Sequence, residues 1–315
     1  MRRKDLLDLQ SLTAEEITYL LDTAQSFREI VARPVKKVPT LRGKSVATLF
    51  FEPSTRTRTS FEAAAKIMSA DTYSLAGTTS SAVKGESLKD TMLTLDAMGI
   101  DAFVIRHPMS GAAHLAARYV PNKPVINAGD GTHEHPTQGL LDLLTIRQVK
   151  GRIEGLHVAI VGDVLHSRVA RSNIWGLHAM GAHIRLIGPP TLLPADADRL
   201  PVEVFTNLEA GLRGVDVVNI LRIQLERQDA AYFPSVREYA RLFGVSKAKL
   251  AGAAPDVTVL HPGPMNRGVE IASALADDDI AVITDQVTNG VAVRMAVLFW
   301  LMGAAASSAG APPKE

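Results

Sequence analysis

Short, mainly apolar runs recur along this chain, alternating with stretches of helical periodicity, and no other feature constrains the fold as strongly. Residues 45–51 (SVATLFF), 102–105 and 125–127 read as buried strands. Helices are expected through Phe61, Ala65 and Met68, over 112–119 and over 137–149. A second series of strands follows at 157–161, 183–187, 202–205, 215–220, 257–260 and 281–283. Strands apolar on both faces need cover on both faces, and their alternation with helices implies parallel sheets. The expectation is an α/β protein of two doubly wound parallel-sheet domains of similar size. The segment 150–155 (KGRIEG) marks the boundary, giving domains over 1–150 and 151–290. The remaining residues, 291–315, are expected to form an apolar helix returning to the first domain and a frayed tail. At the other end, Thr13 and Glu16 form a capping box ahead of Ile17, Leu20, Leu21, Ala24 and Phe27 at helical spacing.

Charge excludes several classes. The chain carries 34 Lys+Arg against 33 Asp+Glu, so a nonspecific nucleic-acid binder or a polybasic membrane anchor is not expected. Cysteine is absent, which removes disulfides, thiol nucleophiles and Cys-ligated metals. The apolar run 295–306 is shorter than the roughly 20 residues a bilayer requires. The charged N-terminus lacks an apolar signal core. A cytoplasmic protein engaging neither nucleic acid nor membrane is the resulting expectation.

Against this neutral background, Phe51-Glu52-Pro53-Ser54-Thr55-Arg56-Thr57-Arg58 is the densest signal. It lies where a buried strand passes into a helix, and the free N–H groups there favour an anion. Hydroxyls supply neutral donors, and guanidinium groups grip phosphate oxygens in pairs. The segment lacks the G-x-x-x-x-G-K-[ST] of a Walker loop. A second signal, His133-Glu134-His135-Pro136-Thr137-Gln138, follows the turn-forming run 127–131. His133 and His135 make a weak metal pair with no obvious third ligand. A neutral His135 bonded to a carbonyl oxygen, with Gln138 orienting the ligand, fits better, and neither metal nor cofactor is called for. Arg106 ends the strand 102–105, at the edge where open parallel sheets bind ligands. Lys84, after the polar run 78–81, reads as one cation on a loop.

In the second half, Gly162-Asp163 and Arg168 follow the strand 157–161, without the G-x-G-x-x-G of a dinucleotide site. Arg222 and Gln224 follow 215–220, and His261-Pro262-Gly263-Pro264 forms a stiff turn whose carbonyls can face a ligand.

Together these residues resemble the aspartate/ornithine carbamoyltransferase family, from about residue 6 to about residue 301. The STRTR and HPTQ motifs carry the resemblance. It implies carbamoyl-phosphate binding by Ser54, Thr55, Arg56, Thr57, Arg106, His135 and Gln138, with Ser80 and Lys84 from a mobile loop and Gly263 and Pro264 from the turn. L-aspartate would be held by Arg168, Arg222, Gln224 and Lys84, in a cleft between the domains. The catalytic set implied is Arg56, Thr57, Arg106, His135 and Lys84. The aspartate branch fits better than the ornithine branch, which typically carries a late Cys-containing motif. Gly263 stands where many aspartate-branch members carry Leu, and Glu134 where relatives often carry Gln. The resemblance further implies an early step of pyrimidine biosynthesis and a homotrimer whose active sites are shared between subunits. The resemblance leaves room for a dihydroorotase or regulatory-chain partner. The competing readings are a carbamoyltransferase for another amine, such as ornithine, and a non-catalytic anion-binding scaffold on the same fold.

Overall fold

The computed structural model describes residues 3–76, 86–223 and 235–303. The chain divides into two compact units. One comprises Met1–Asp8, Thr18–Thr137 and Thr288–Glu315; the other comprises Leu9–Ile17 and Gln138–Val287.

Helix α1 (Ala14–Val31) starts in the second unit, passes to the first at Thr18 and precedes strand β1 (Ser45–Phe50) of the first unit. The expected capping box starts α1: Glu16 N–H donates to Thr13 Oγ1 at 3.3 Å, and Thr13 N–H donates to Glu16 Oε2 at 3.0 Å. There follow α2 (Thr55–Ile67), β2 (Asp71–Ala76), α3 (Leu88–Ala97), β3 (Ala102–His107), α4 (Ala112–Tyr119) and β4 (Val125–Asp130). The strands pair in parallel in the order β2-β1-β3-β4. Ala47, Leu49, Phe103 and Ile105 of the sheet pack with Met92 and Leu95 of α3 and with Ala116 and Ala117 of α4.

Helix α5 (Pro136–Lys150) leads into the second unit. It contains β5 (His157–Val161), α6 (Arg168–Ala179), β6 (His183–Ile187), β7 (Glu203–Phe205), α7 (Leu208–Leu212), β8 (Val217–Ile220), α8 (Val236–Phe243), β9 (Thr258–Leu260) and α9 (Ser273–Ala276). All its paired strands are parallel, in the order β7-β6-β5-β8-β9. Ala159, Val161, Val218, Ile220 and Val259 form the core with Leu208 and Leu212 of α7 and Tyr239 and Phe243 of α8. The last helix, α10 (Ile283–Met302), starts in this unit and passes to the first at Thr288. Gly139 of α5 permits close approach to α6, since a Cβ there would lie 3.1 Å from Cβ of Ser172 and 2.6 Å from Cδ1 of Leu9.

Two expectations need correction. Residues 281–283 do not form a strand: Ala281 makes a single bridge to Val259, and Ile283 already begins α10. Nor does the chain turn at 127–130. Strand β4 runs through to Asp130, because Asn127 satisfies its amide locally on Leu7 O at 2.8 Å and Asp130 Oδ1 at 2.7 Å.

Candidate active site

Each sheet has one place where the strand order reverses, and there the following segments leave in opposite directions to open a crevice at the carboxyl edge. In the first unit it lies between β1 and β3, which pair with Phe50 opposite Arg106. The Ser54–Thr57 segment leaves the end of β1, Arg106 is near the end of β3, and His135 follows neighbouring β4. The motif residues, far apart in sequence, thus sit on three adjacent strand ends.

Ser54 is the N-cap of α2, yet its hydroxyl makes no capping hydrogen bond. Ser87, Ser167 and Ser235, at the N-caps of α3, α6 and α8, all accept one from the helix. The first turn of α2 has no acidic residue and instead carries Arg56, which is exposed. Positive side chains at the positive end of a helix are unfavourable unless an anion joins them. Thr57 is buried, and its hydroxyl lies 3.5 Å from Nε2 of buried His135.

Arg106 is largely buried and donates from Nε to Glu52 Oε1 at 2.6 Å. Its Nη1 donates to Ala128 O at 3.4 Å. An incoming anion therefore competes with Glu52 for this guanidinium. A further cation, Arg294 of α10, directly precedes the apolar run 295–306, and no motif around it signals a site. It is buried over the Phe61 ring at 5.1 Å and donates to Gly290 O at 2.9 Å. Burial, then the charge of Arg106, pushes its pKa down to about 9.

Beside this cradle, Asp130 accepts from Gly111 N–H at 2.7 Å and from the Asn127 amide at 2.7 Å, and its Oδ1 lies 3.1 Å from Nδ1 of His133. Burial opposes ionisation of Asp130, but the bonds from His133 and Asn127 outweigh it and hold its pKa below the usual carboxylate range. The hydrogen bond to Asp130 raises His133 against the effect of burial. His114, Asp130 and His133 have ligand atoms within 4.8 Å of one another, a spacing that could hold a cation. Both Asp130 oxygens already accept hydrogen bonds, so binding a metal would mean giving some of them up.

In the second unit the order reverses between β5 and β8, with Val161 opposite Ile220. Arg168, buried, is the first residue of α6 after β5, and Arg222, half-buried, follows β8. The turn 261–264 leaves the next strand, β9. It is braced internally: Gly263 N–H donates to His261 Nδ1 at 2.8 Å, and His261 Nε2 lies 3.3 Å from Glu270 Oε1, both side chains fully buried. Gly263 needs its lack of a side chain, having φ +57°. Gln138, in the first turn of α5, donates to Asp142 Oδ1 at 3.0 Å. Ser80, Lys84 and Gln224 lie outside the described residues.

Residues 4–148 match the aspartate/ornithine carbamoyltransferase carbamoyl-P binding domain, and residues 154–301 match the Asp/Orn binding domain of the same family. The chain belongs to the aspartate/ornithine carbamoyltransferase family. Within it, the chain is 62% identical over 308 residues to the aspartate carbamoyltransferase catalytic subunit of Heliobacterium modesticaldum, covering 98% of each. Solved structures do not separate the branches by shape. The ornithine carbamoyltransferase of Pyrococcus furiosus aligns with TM-score 0.85 at 30% identity, over 96% of this chain and 97% of that one. The aspartate transcarbamoylase of Trypanosoma cruzi, in complex with carbamoyl phosphate and aspartate, aligns with TM-score 0.85 at 28% identity, over 95% of this chain and 97% of that one. Among the described residues, no helix is long and apolar enough to cross a membrane.

Proposed function

We propose that this chain transfers the carbamoyl group of carbamoyl phosphate to the amine of L-aspartate, giving N-carbamoyl-L-aspartate and phosphate. One observation carries the reading: each sheet presents arginines at its point of strand reversal, Arg56 and Arg106 in one and Arg168 and Arg222 in the other. A phosphate dianion and a dicarboxylate are the anions that two such sites would take. The high identity to an aspartate carbamoyltransferase catalytic subunit supports the choice of amine.

Ser54, Thr55, Arg56 and Thr57 hold the phosphate through hydroxyls, backbone N–H groups and guanidinium, with Ser80 and Lys84 as further ligands of carbamoyl phosphate. Thr57, Arg106 and His135 polarise the carbamoyl carbonyl. The aspartate nitrogen attacks the carbamoyl carbon, and the tetrahedral intermediate places negative charge on the oxygen these three groups face. One preorganised donor to such an oxyanion is worth about 3 kcal/mol. The carbon–oxygen bond to phosphate then breaks, Arg56 stabilises the departing charge, and phosphate takes the proton that the amine sheds. The residues supply mainly positioning and electrostatics. Gln138, Gly263 and Pro264 contact the carbamoyl group, while Lys84, Arg168, Arg222 and Gln224 hold the aspartate carboxylates.

The same reading places the chain at an early step of pyrimidine biosynthesis in the cytoplasm, as a homotrimer in which Lys84 serves a neighbouring subunit's site. A heterologous ring satisfies that geometry, each subunit giving one loop and receiving another. The test is a screen of amines with carbamoyl phosphate, following phosphate release. Release with aspartate and not with ornithine is expected. Release with ornithine alone would reverse the choice of amine, and no release with any amine would favour an anion-binding scaffold.

A further inference from the structure

Asp142 lies one helical turn after Gln138 on α5 and is completely buried. Four side-chain amides surround it. Its Oδ1 accepts from Gln138 Nε2 at 3.0 Å and from Gln286 Nε2 at 2.7 Å. Its Oδ2 accepts from Asn173 Nδ2 at 2.8 Å and from Asn219 Nδ2 at 3.4 Å. These donors come from α5, α10, α6 and β8. Burial pushes the Asp142 pKa up to about 6, while the four amides, all donating to its oxygens, favour the ionised form.

An ionised carboxylate only accepts hydrogen bonds, whereas a primary amide has one donating end and one accepting end. Every amide that meets Asp142 must therefore turn its NH2 inward and its carbonyl away. For Gln286 the outcome is visible, since its Oε1 accepts the backbone N–H of His261 at 3.0 Å, at the root of the 261–264 turn. For Gln138, which is half-buried, the same constraint directs Oε1 away from the carboxylate.

We propose that Asp142 is a positioning residue for carbamoyl recognition: it makes Gln138 present a carbonyl oxygen to the carbamoyl NH2, and through Gln286 it fixes the turn bearing Gly263 and Pro264. The inference rests on the assignment of Gln138 to carbamoyl phosphate made above. It goes further by giving that contact a direction and a cause.

Acetyl phosphate distinguishes the roles, because its methyl group replaces the NH2 and has nothing to donate. Calorimetric affinities for the two phosphates give a preference for carbamoyl over acetyl. Asp142→Ala should reduce that preference about tenfold by raising the carbamoyl phosphate Kd, with acetyl phosphate affinity little changed. Gln138→Ala should reduce the same preference, and the double variant should lose no more than Asp142→Ala alone. If both affinities fall equally in Asp142→Ala, the carboxylate is merely structural and the proposal is overturned. If Gln138→Ala reduces the preference but Asp142→Ala leaves it intact, the positioning role alone is wrong. An unchanged preference in Gln138→Ala overturns the substrate assignment and the proposal together. Should Asp142→Ala fail to fold, the wild-type protein labelled with 15N-glutamine provides the test. The Gln138 side-chain NH2, assigned by its absence in Gln138→Ala, should be protected from exchange without ligand. Protection gained only with carbamoyl phosphate would mean that the NH2 faces the ligand, and would overturn the proposal.

Discussion

The two units put arginines at equivalent places in their sheets but secure the neighbouring groups by different means. In the first unit, charges meet charges: Arg106 opposes Glu52 at 2.6 Å, and His133 faces Asp130 at 3.1 Å. In the second, the buried carboxylate of Asp142 meets four neutral amides. An ion pair can be exchanged, because incoming carbamoyl phosphate offers Arg106 the negative charge that Glu52 offered. A ring of amides around a buried acceptor cannot be rearranged without leaving polar groups unsatisfied, which costs about 1–3 kcal/mol each. The first arrangement suits a group that must change partners, and the second suits groups that must keep one orientation.

Removing a charge from the first unit should have the largest effect. Arg106→Ala takes away an oxyanion donor and leaves Glu52 facing the anion, so kcat/KM should fall about 100- to 1000-fold or more. Steady-state kinetics with both substrates varied would check this. Next comes the second unit's exposed end: Arg222→Ala should raise the aspartate KM about 10- to 150-fold. A smaller effect, on stability instead of turnover, is expected from Asn173→Ala, which leaves Asp142 Oδ2 with the 3.4 Å bond from Asn219. Thermal denaturation should show a loss of about 1–3 kcal/mol.

The smallest effect concerns the His133–Asp130 pair. The folded pKa of Asp130 is depressed, so its contribution is present above 3.8 and lost as pH falls through the folded value. That of His133 is raised, so its contribution is complete below 6.5 and lost as pH rises through the folded value. His133→Leu should therefore lower stability by about 1 kcal/mol or less near pH 5.5, and by less still near pH 9. An equal loss at both pH values would remove the electrostatic explanation.

The parts of this molecule that could be read from sequence are those written contiguously. Strand β5 is a buried apolar run after its first residue, β6 buries Ile184, Leu186 and Ile187, and both lie where the pattern placed them. Strand β2 has no apolar signature because it is an edge strand, DTYSLA, with Tyr73 52% exposed and no continuous apolar run. Helix α10 starts at Ile283, ahead of the apolar pattern expected from 291, because its first turns, ITDQVTN, are mostly polar. The STRTR segment announced an anion site since strand, turn and helix start are adjacent in the chain. Glu52 stood in the same segment, but nothing local revealed that it would meet Arg106, 54 residues away. Asp142 was less legible still. Its partner Gln286 is 144 residues distant, and an acid inside an apolar helix has no spacing rule that predicts a ring of amides.

The division of labour between the two arginine pairs is tested most directly by calorimetric titration of carbamoyl phosphate, without aspartate, into Arg106→Ala and Arg222→Ala. Affinity should collapse in the first and remain within about twofold of wild type in the second, because loss of a bond that is not made costs nothing. Equal losses in both variants would contradict the separate assignment of the two anions.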